Sequence, residues 1–407
     1  MSKPKIRFEG FTEDWEQRKL IDVCDYVDYR GKTPTKVDDG IFLVTAKNVK
    51  DGYIDYESSK EYISEKDYEE VMHRGLPQVG DVLITTEAPC GNVAQVNRED
   101  IALAQRVIKY RGKSRVIDNT YLKHYMLAPK FQGILSAKSS GGTVKGIKGS
   151  ILHQQYVELP SYAEQLIIGQ YMEQLSNLIT LHQRKCVEAK KLKKFMLQKM
   201  FPKNGEKNPE IRIKGFTDDW EQRKLGTVAT FSKGSGYSKG DLQDEGTPII
   251  LYGRLYTKYE TSIKDVDTFV CEKSNSVYSE GGEVIVPASG ETAEDIARAA
   301  TVENKGILLG GDLNVITPNK SIDSAFLALS ISNGAAHNEL ASKAQGKSIV
   351  HIHNAEIQAL IIAFPSRWEQ GRISGYFAKL DHLITLHQRK CDELQRLKKF
   401  MLQNMFV

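Results

Sequence analysis

The chain has 407 residues, 40% of them hydrophobic, with 56 Lys and Arg against 52 Asp and Glu, a formal charge of +4. That length suits two domains or more, each able to bury its own core, and a charge so small does not announce nucleic acid unless local patches do. No run of about 18 apolar residues occurs and the start, MSKPKIRFEG, lacks the apolar block of a secretion signal, so the expectation is a cytoplasmic protein without membrane contact. Cys24, Cys90, Cys186, Cys271 and Cys391 are scattered and never spaced C-x-x-C, which argues against a disulfide framework and against a zinc knuckle.

The opening segment, PKIRFEGFTEDWEQRKL at residues 4–20, returns at 209–225 as PEIRIKGFTDDWEQRKL, identical at 13 of 17 positions. The offset of 205 holds wherever the halves agree, which marks a tandem duplication in one fixed register. Residues 25–117 and their counterparts 230–322 share almost nothing. The first of these blocks reads as mixed α/β, with VGDVLITTEAPCGNVAQV (79–96) alternating around a Pro-Cys-Gly turn. Its loops carry basic, amide and aromatic side chains: Tyr29, Arg30, Lys32 and Thr33 in YRGKTPTK, Lys47 and Asn48 in TAKNV, Gln105 and Arg106 in AQRV. Lys138, Lys145 and Lys148 follow near the end of the block.

A closing segment then begins at Pro160 and Ser161, with Glu164 three residues after the serine; Ser366 and Glu369 repeat the arrangement. This is the pattern of a capping box at a helix start. Apolar residues continue at heptad spacing, Ile168, Tyr171, Leu175 and Leu178, beside a second stripe of Met172, Ile179 and Cys186. Ile373, Tyr376, Leu380 and Leu383, with Phe377, Ile384 and Cys391, form the same pair of stripes in the second copy. A helix over residues 162–200 is about 58 Å long. It cannot satisfy two apolar stripes alone, and its duplicate, packed antiparallel in a coiled-coil-like pair, is the expected partner. Residues 178–201 and 383–406 agree at 19 of 24 positions, including LITLHQRKC without a change. From 184 to 203 eight Lys or Arg stand against Glu188 alone, a bias that suits a solvated face or a docking face. Arg184, Lys185, Arg389 and Lys390 are the docking candidates.

The polar linker FPKNGEKNPE leads into the second half, whose block again offers strands in GGEVIVPASG and ILLGGDLNVITP. Its loops supply Lys233, Ser235 and Tyr237 in KGSGYSK, and Tyr252, Arg254, Tyr256, Lys258 and Tyr259 in LYGRLYTKYE, with Lys343 and Lys347 near the end. Arg and Lys reach phosphates or a guanine edge, Asn and Gln match an adenine edge, and Tyr or Thr adds stacking or methyl contact. Any one such loop is ordinary surface. Recurrence in both variable blocks is what raises DNA binding above that reading.

Catalytic and metal motifs match poorly. A relaxed phosphate-loop pattern from Ala341 to Ser348 has no apolar strand before it, and the duplicate has Gly142 where the lysine belongs. His351 and His353 have Gly146 and Lys148 as their duplicates, and no further ligand stands at a recognisable spacing. His182 and His387 fall on the heptad stripe, where packing is the plainer role. The expectation is no catalytic residue, no metal ligand and no cofactor held by this chain.

WEQRKL at the start of each half, YRGKTP at 29–34, GDVLIT followed by AQRV, LGGDLN in the second half and the proline-then-EQ helix starts resemble, as a set, the specificity subunit of type I restriction-modification systems. The resemblance covers essentially the whole chain. It implies an α/β (α+β) fold with target-recognition domains at 1–160 and 212–365, spacer helices at 161–201 and 366–407 holding them apart, and a linker at 202–211. It implies a non-catalytic subunit in which each domain reads one half of a split, asymmetric DNA target. The helices would bind two methyltransferase subunits carrying S-adenosylmethionine, joined by two restriction motor-nuclease subunits that use ATP and Mg2+. The alternative is a DNA-binding or scaffold protein outside restriction, self-associating through its duplicated helices.

Overall fold

A computed structural model describes residues 3–29, 34–203, 205–346 and 349–406. The chain divides into two compact units, Met1–Arg184 with Gln388–Val407, and Lys185–His387. The division falls inside both closing helices, so each unit takes the first part of one and the last part of the other.

In the first unit β1 (Glu16–Lys19), β2 (Cys24–Asp28), β3 (Val82–Thr86), β4 (Cys90–Gln95) and β5 (Val107–Gly112) precede α1 (Asn119–Leu127), α2 (Pro129–Lys138), β6 (Tyr156–Leu159) and the long α3 (Tyr162–Lys199). The main sheet is antiparallel in the order β2-β5-β3-β4. All five residues of β3 are buried, because both faces of the sheet are covered. Val82 and Ile84 point into the core shared with α1 and α3, while Leu83 points into a second core built around Phe42, Leu43 and Val44. Two-residue alternation thus sorts one strand between two cores.

The second unit repeats the plan with β7 (Glu221–Lys224), β8 (Ala229–Lys233), β9 (Glu283–Pro287), β10 (Ser289–Gly290), β11 (Ala300–Val302), β12 (Leu313–Pro318), α4 (Ser324–Ser332), α5 (Gly334–Lys343), β13 (Val350–His351), β14 (Ile361–Phe364) and α6 (Arg367–Asn404). Its main sheet runs β8-β12-β9-β11, with Ser262–Ile263 at the edge beside β11. Val284 and Val286 face one core and Ile285 the other.

Identical hydrogen bonds tie each unit together. Arg7 donates twice to Glu164, both at 2.8 Å, and Arg212 twice to Glu369, both at 2.7 Å, with the carboxylates almost fully buried. Gln165 accepts from the Asp118 amide at 2.9 Å and donates to the carbonyls of Val116 and Pro160. Gln370 does the same with Asp323, Ser321 and Pro365. Asp118 and Asp323 in turn cap α1 and α4. The EQ pair therefore locks the closing helix to both the opening segment and the central helix of its unit. The expected capping box is half made: Ser161 and Ser366 accept from the Glu164 and Glu369 amides at 3.4 Å. The glutamate carboxylates turn instead to the arginines, where two charge-assisted bonds are stronger than one to a backbone amide.

The helix seam also differs from the expected stripes. The buried positions alternate at three and four residues: Ile168, Met172, Leu175 and Ile179 of α3 share the first unit's core with Cys391, Leu394 and Met405 of α6. In the second unit Ile373, Phe377 and Leu380 of α6 join Met200. One seam thus draws members from both stripes, as a left-handed coiled-coil face requires. Leu178 and Leu383 fall outside it and are each 43% exposed. Within the second unit the pairings run in opposite directions, Cys186 against Ile384 and Lys193 against Asp381, so the segments are antiparallel. No helix among the described residues is long and apolar enough to cross a membrane.

Candidate nucleic-acid interface

A loop between α2 and β6 is the site's centre in the first unit. Ser140 and Gly146 exchange backbone hydrogen bonds of 2.9 Å, and the Ile147 amide donates to the Thr86 carbonyl at 2.9 Å, laying the loop against the end of β3. Gly141 has φ +120°, and a Cβ there would stand 2.1 Å from the Val144 carbonyl oxygen, so the turn admits only glycine. The second unit repeats the device 205 residues on. Gln345 and His351 exchange the same pair of bonds, β10 pairs with β13, and Gly346 at φ +138° would put a Cβ 1.9 Å from the Ile349 oxygen.

The tips of these loops expose matched apolar residues, Val144 at 51% and Ile349 at 57%. In the first unit the loop borders a cleft of about 530 Å³ lined by Glu87, Gln105, Arg106, Val144 and Lys148, among others. Four residues that the sequence marked separately converge here: Gln105, Arg106 and Lys148 in the cleft, and Lys145 on the loop's other side, facing the Pro89–Cys90 turn. Arg106 is half exposed and its Nε lies 3.2 Å from a Glu87 carboxylate oxygen, so its guanidinium is held at the cleft. Basic, amide and apolar groups at one rim can meet phosphates, base edges and thymine methyls together.

Other sequence candidates have internal roles. Tyr29 is buried, its hydroxyl donates to the Gly75 carbonyl, and burial pushes its phenol well above the usual range. Asn48 is fully buried, accepting from Thr45 and donating to the Asp55 and Ser59 carbonyls, which leaves Lys47 as the exposed member of its loop. Lys138 donates to Gln155 at 2.8 Å and Lys343 to Glu339 at 2.6 Å. Arg30, Lys32, Thr33 and Lys347 lie outside the described residues.

In the second unit Ser235 bridges the Val277 amide and the Leu309 carbonyl, and buried Tyr237 accepts from the Lys273 amide at 2.6 Å. Arg254 is only 8% exposed and is spent on Asp267, Glu260 and the Asp265 carbonyl. Lys258 pairs with the same Asp267, and Lys258 and Arg254 together hold that carboxyl down to about 2. Tyr256 donates to Ser289 O and Tyr259 to Ala299 O. Lys233 and Tyr252 remain exposed. The correction has one physical cause: a dense loop of Arg, Lys and Tyr with nearby acids closes on itself, because buried polar groups take partners. His351 meets Ser289 Oγ at 3.1 Å, and His353 caps a short helix with Glu356, so neither is arranged as a ligand.

Sequence reasoning missed Glu87, Val144 and Ile349. The 205 offset between Gly141 and Gly346 was the available signal, since it points to a retained turn whose tip differs.

The closing helices carry a second matched surface. Arg184, Lys185, Arg389 and Lys390 are exposed, Lys390 lying 3.3 Å from Glu393. Beside them the first unit exposes Leu178, Leu181, Leu397 and Phe400, and the second exposes Leu383, Leu386, Leu192 and Phe195. Each unit thus presents the same four side chains, one pair from each closing helix, with the members of a pair three residues apart on one helix face.

A family model described as the type I restriction modification DNA specificity domain matches the chain twice, over residues 12–191 and 217–396, again 205 apart. The type I restriction enzyme MjaVIII specificity subunit of Methanocaldococcus jannaschii is 21% identical over 401 residues, covering 95% of this chain and 91% of that protein. The putative MjaX specificity subunit of the same organism is 23% identical, covering 97% and 93%. Among solved structures, the S subunit of a type I restriction-modification system from M. genitalium shares the fold with a TM-score of 0.67 at 13% identity, covering 100% of this chain and 99% of its own.

Proposed function

The chain belongs to the type I restriction modification DNA specificity family, and we propose that each unit reads one half of a two-part DNA target with its glycine-turned loop and the rim beside it. Target recognition, without catalysis, is the role of this family's specificity subunits. The observation that carries the two-part reading is the repetition of one loop device: the paired backbone bonds of Ser140 with Gly146 and of Gln345 with His351, and the glycines at 141 and 346, stand 205 residues apart, while the exposed residue beside them changes from Val144 to Ile349. A retained turn presents the reading head, and the unlike side chains select unlike bases. In the first unit Arg106 and Gln105 would take base edges, Val144 a thymine methyl, and Lys145 and Lys148 phosphates. Ile349, Lys233 and Tyr252 are the candidates in the second.

One half-site of a few base pairs discriminates weakly, at about 1–3 kcal/mol per pair, and a linked second half-site multiplies the selectivity. The closing helices are the element that would set half-site separation. The matched apolar quartets, one to each unit, support docking of two copies of one modification subunit, with the exposed Arg184, Lys185, Arg389 and Lys390 as the basic candidates on the same helices. S-adenosylmethionine, and the ATP and Mg2+ of the restriction subunits, belong to those partners.

The test is co-expression with a type I modification subunit followed by mapping of methylated adenines. The expected motif is bipartite, and Gln105→Ala with Arg106→Ala relaxes one half and leaves the other intact. Loss of both halves together, or a motif without a spacer, overturns the reading.

A further inference from the structure

The end of α3 borders a cleft of about 810 Å³ in the second unit, away from the reading loop, into which Lys190, Lys194 and Lys203 project beside Asn333 and Asn338. Two further lysines of its wall are already paired, Lys193 with Asp381 at 2.5 Å and Lys199 with Glu210. Lys203 also reaches Glu210. Five lysines against these two carboxylates leave the cleft strongly positive, and Lys190 and Lys194 carry no ion pair among the described residues.

A solvated helix face would explain lysines alone, but the repeat argues otherwise. At the same offset the first unit keeps Lys193 and Lys194 as Lys398 and Lys399, but has Gln395 for Lys190, Asn404 for Lys199, Ala128 for Asn333 and Gly133 for Asn338. Its apolar neighbours are kept without change, Leu192 as Leu397 and Phe195 as Phe400. Whatever the shared lysines and apolar residues do in both units, the completed cluster, with Lys190, Lys199, Asn333 and Asn338 added to Lys193 and Lys194, belongs to the second unit.

Resting on the DNA-reading role given above, we propose that this cleft holds backbone phosphates of the bound duplex, independently of base sequence. Lysine ammonium and asparagine amide groups are donors suited to phosphate oxygens, and a polyanion is the ligand complementary to their excess charge. The cleft adjoins the first turn of α5, and the reading loop begins just beyond its last residue, Lys343. Ten residues of helix are about 15 Å, or roughly four base pairs along the duplex axis. One duplex can therefore meet both, with the loop choosing bases and the cleft fixing register.

The experiment measures binding of the full-length chain to a duplex carrying the mapped motif and to a scrambled duplex of equal length, across a salt series. Lys190→Gln with Lys194→Gln should weaken both complexes by a common factor, reduce the log–log salt slope by about 1.8, near 0.9 for each lost phosphate contact, and leave the methylated motif unchanged. Lys264→Gln with Lys305→Gln, exposed lysines outside the cleft, should leave the slope in place. An unchanged slope overturns the proposal, as does weakening confined to the motif duplex, or equal weakening by the control pair. Intact DNA binding with loss of the co-purifying modification subunit also overturns it and assigns the cleft to an acidic protein surface. Failure of the wild-type chain to prefer its motif duplex would instead strike the DNA-reading role itself.

Discussion

The closing helices and the variable sheets come from the same duplication, yet they have aged differently. α3 and α6 keep the offset of 205 down to individual hydrogen bonds, Arg7 to Glu164 answering Arg212 to Glu369. β3 and β9 are equivalent strands in equivalent sheets, yet they begin at 82 and 283, an offset of 201, so the common register is lost inside the variable blocks. Where two copies must make the same contacts, packing and partner surfaces hold side chains fixed; where they meet different ligands, only the backbone frame is held.

The strongest way to break that comparison is at the clamps. Glu164→Ala leaves the partly covered Arg7 guanidinium without its partner, which costs about 3 kcal/mol, the low end for breaking a buried pair because that guanidinium still reaches solvent, and Glu369→Ala should cost the second unit the same. Tryptophan fluorescence can separate the units, because Trp15 lies in the first and Trp220 and Trp368 in the second. Denaturant midpoints in a Trp220→Phe, Trp368→Phe background, and in a Trp15→Phe background, should fall by similar amounts. A cost confined to one unit would show that the identical geometry is not energetically equivalent.

Acid should separate the units next. His124 is fully buried between Lys123, Glu173 and the half-buried Lys398, with Nε2 3.2 Å from Glu173, and burial pushes its imidazole down to about 4. The unfolded chain binds that proton from about pH 6.5 downward while the folded chain does not, so stability falls as pH drops from 6.5 towards 4. The loss reaches about 3 kcal/mol. Below that, the Glu173 carboxyl, held down to about 2 by His124 and Lys123, extends the loss. The second unit has Leu329 where the first has His124, and Ala378 where it has Glu173. Trp15 should therefore report unfolding at a higher pH than Trp220, and His124→Leu should close the gap.

How legible the sequence was follows the same division. The duplication, both helix starts and the antiparallel pairing were readable because they rest on identity and on periodicity. The seam itself was misassigned at Leu178 and Leu383, because apolar residues outnumber seam positions on a helix that also carries an outward apolar face. In the loops, Arg254, Tyr256 and Tyr259 looked like a reading surface by composition, yet Asp267, Glu260 and nearby carbonyls take them up. Composition lists donors, and only the fold decides which acceptors reach them first. Gln105, Arg106 and Lys148 are distant in sequence, and the bond from Ile147 to Thr86 brings them to one cleft.

A smaller effect tests the reading loops. Arg106→Ala should lower discrimination at one base position by about 1–3 kcal/mol, seen as a relaxed letter in one half of the methylated motif with stability unchanged. Glu87→Gln, which keeps a hydrogen-bonding partner for Arg106 but removes its charge, should relax the same letter less. Relaxation in the opposite half would mean that the loops are not assigned one to each half-site.

The smallest effect sharpens the frame again. Ser161 and Ser366 accept from the Glu164 and Glu369 amides at 3.4 Å, long for a cap bond, and the reciprocal glutamate bond of a capping box is absent because the arginines hold both carboxylates. Ser161→Ala and Ser366→Ala should therefore cost only about 0.5 kcal/mol each, the low end for a lost N-cap. Combined with Arg7→Ala, which frees Glu164 to swing back to the vacant cap, the serine change should cost more in the first unit than it does alone. Additive costs in that double variant would show that clamp and cap do not compete for the carboxylate, and that helix starts and clamps are independent devices in the repeated frame.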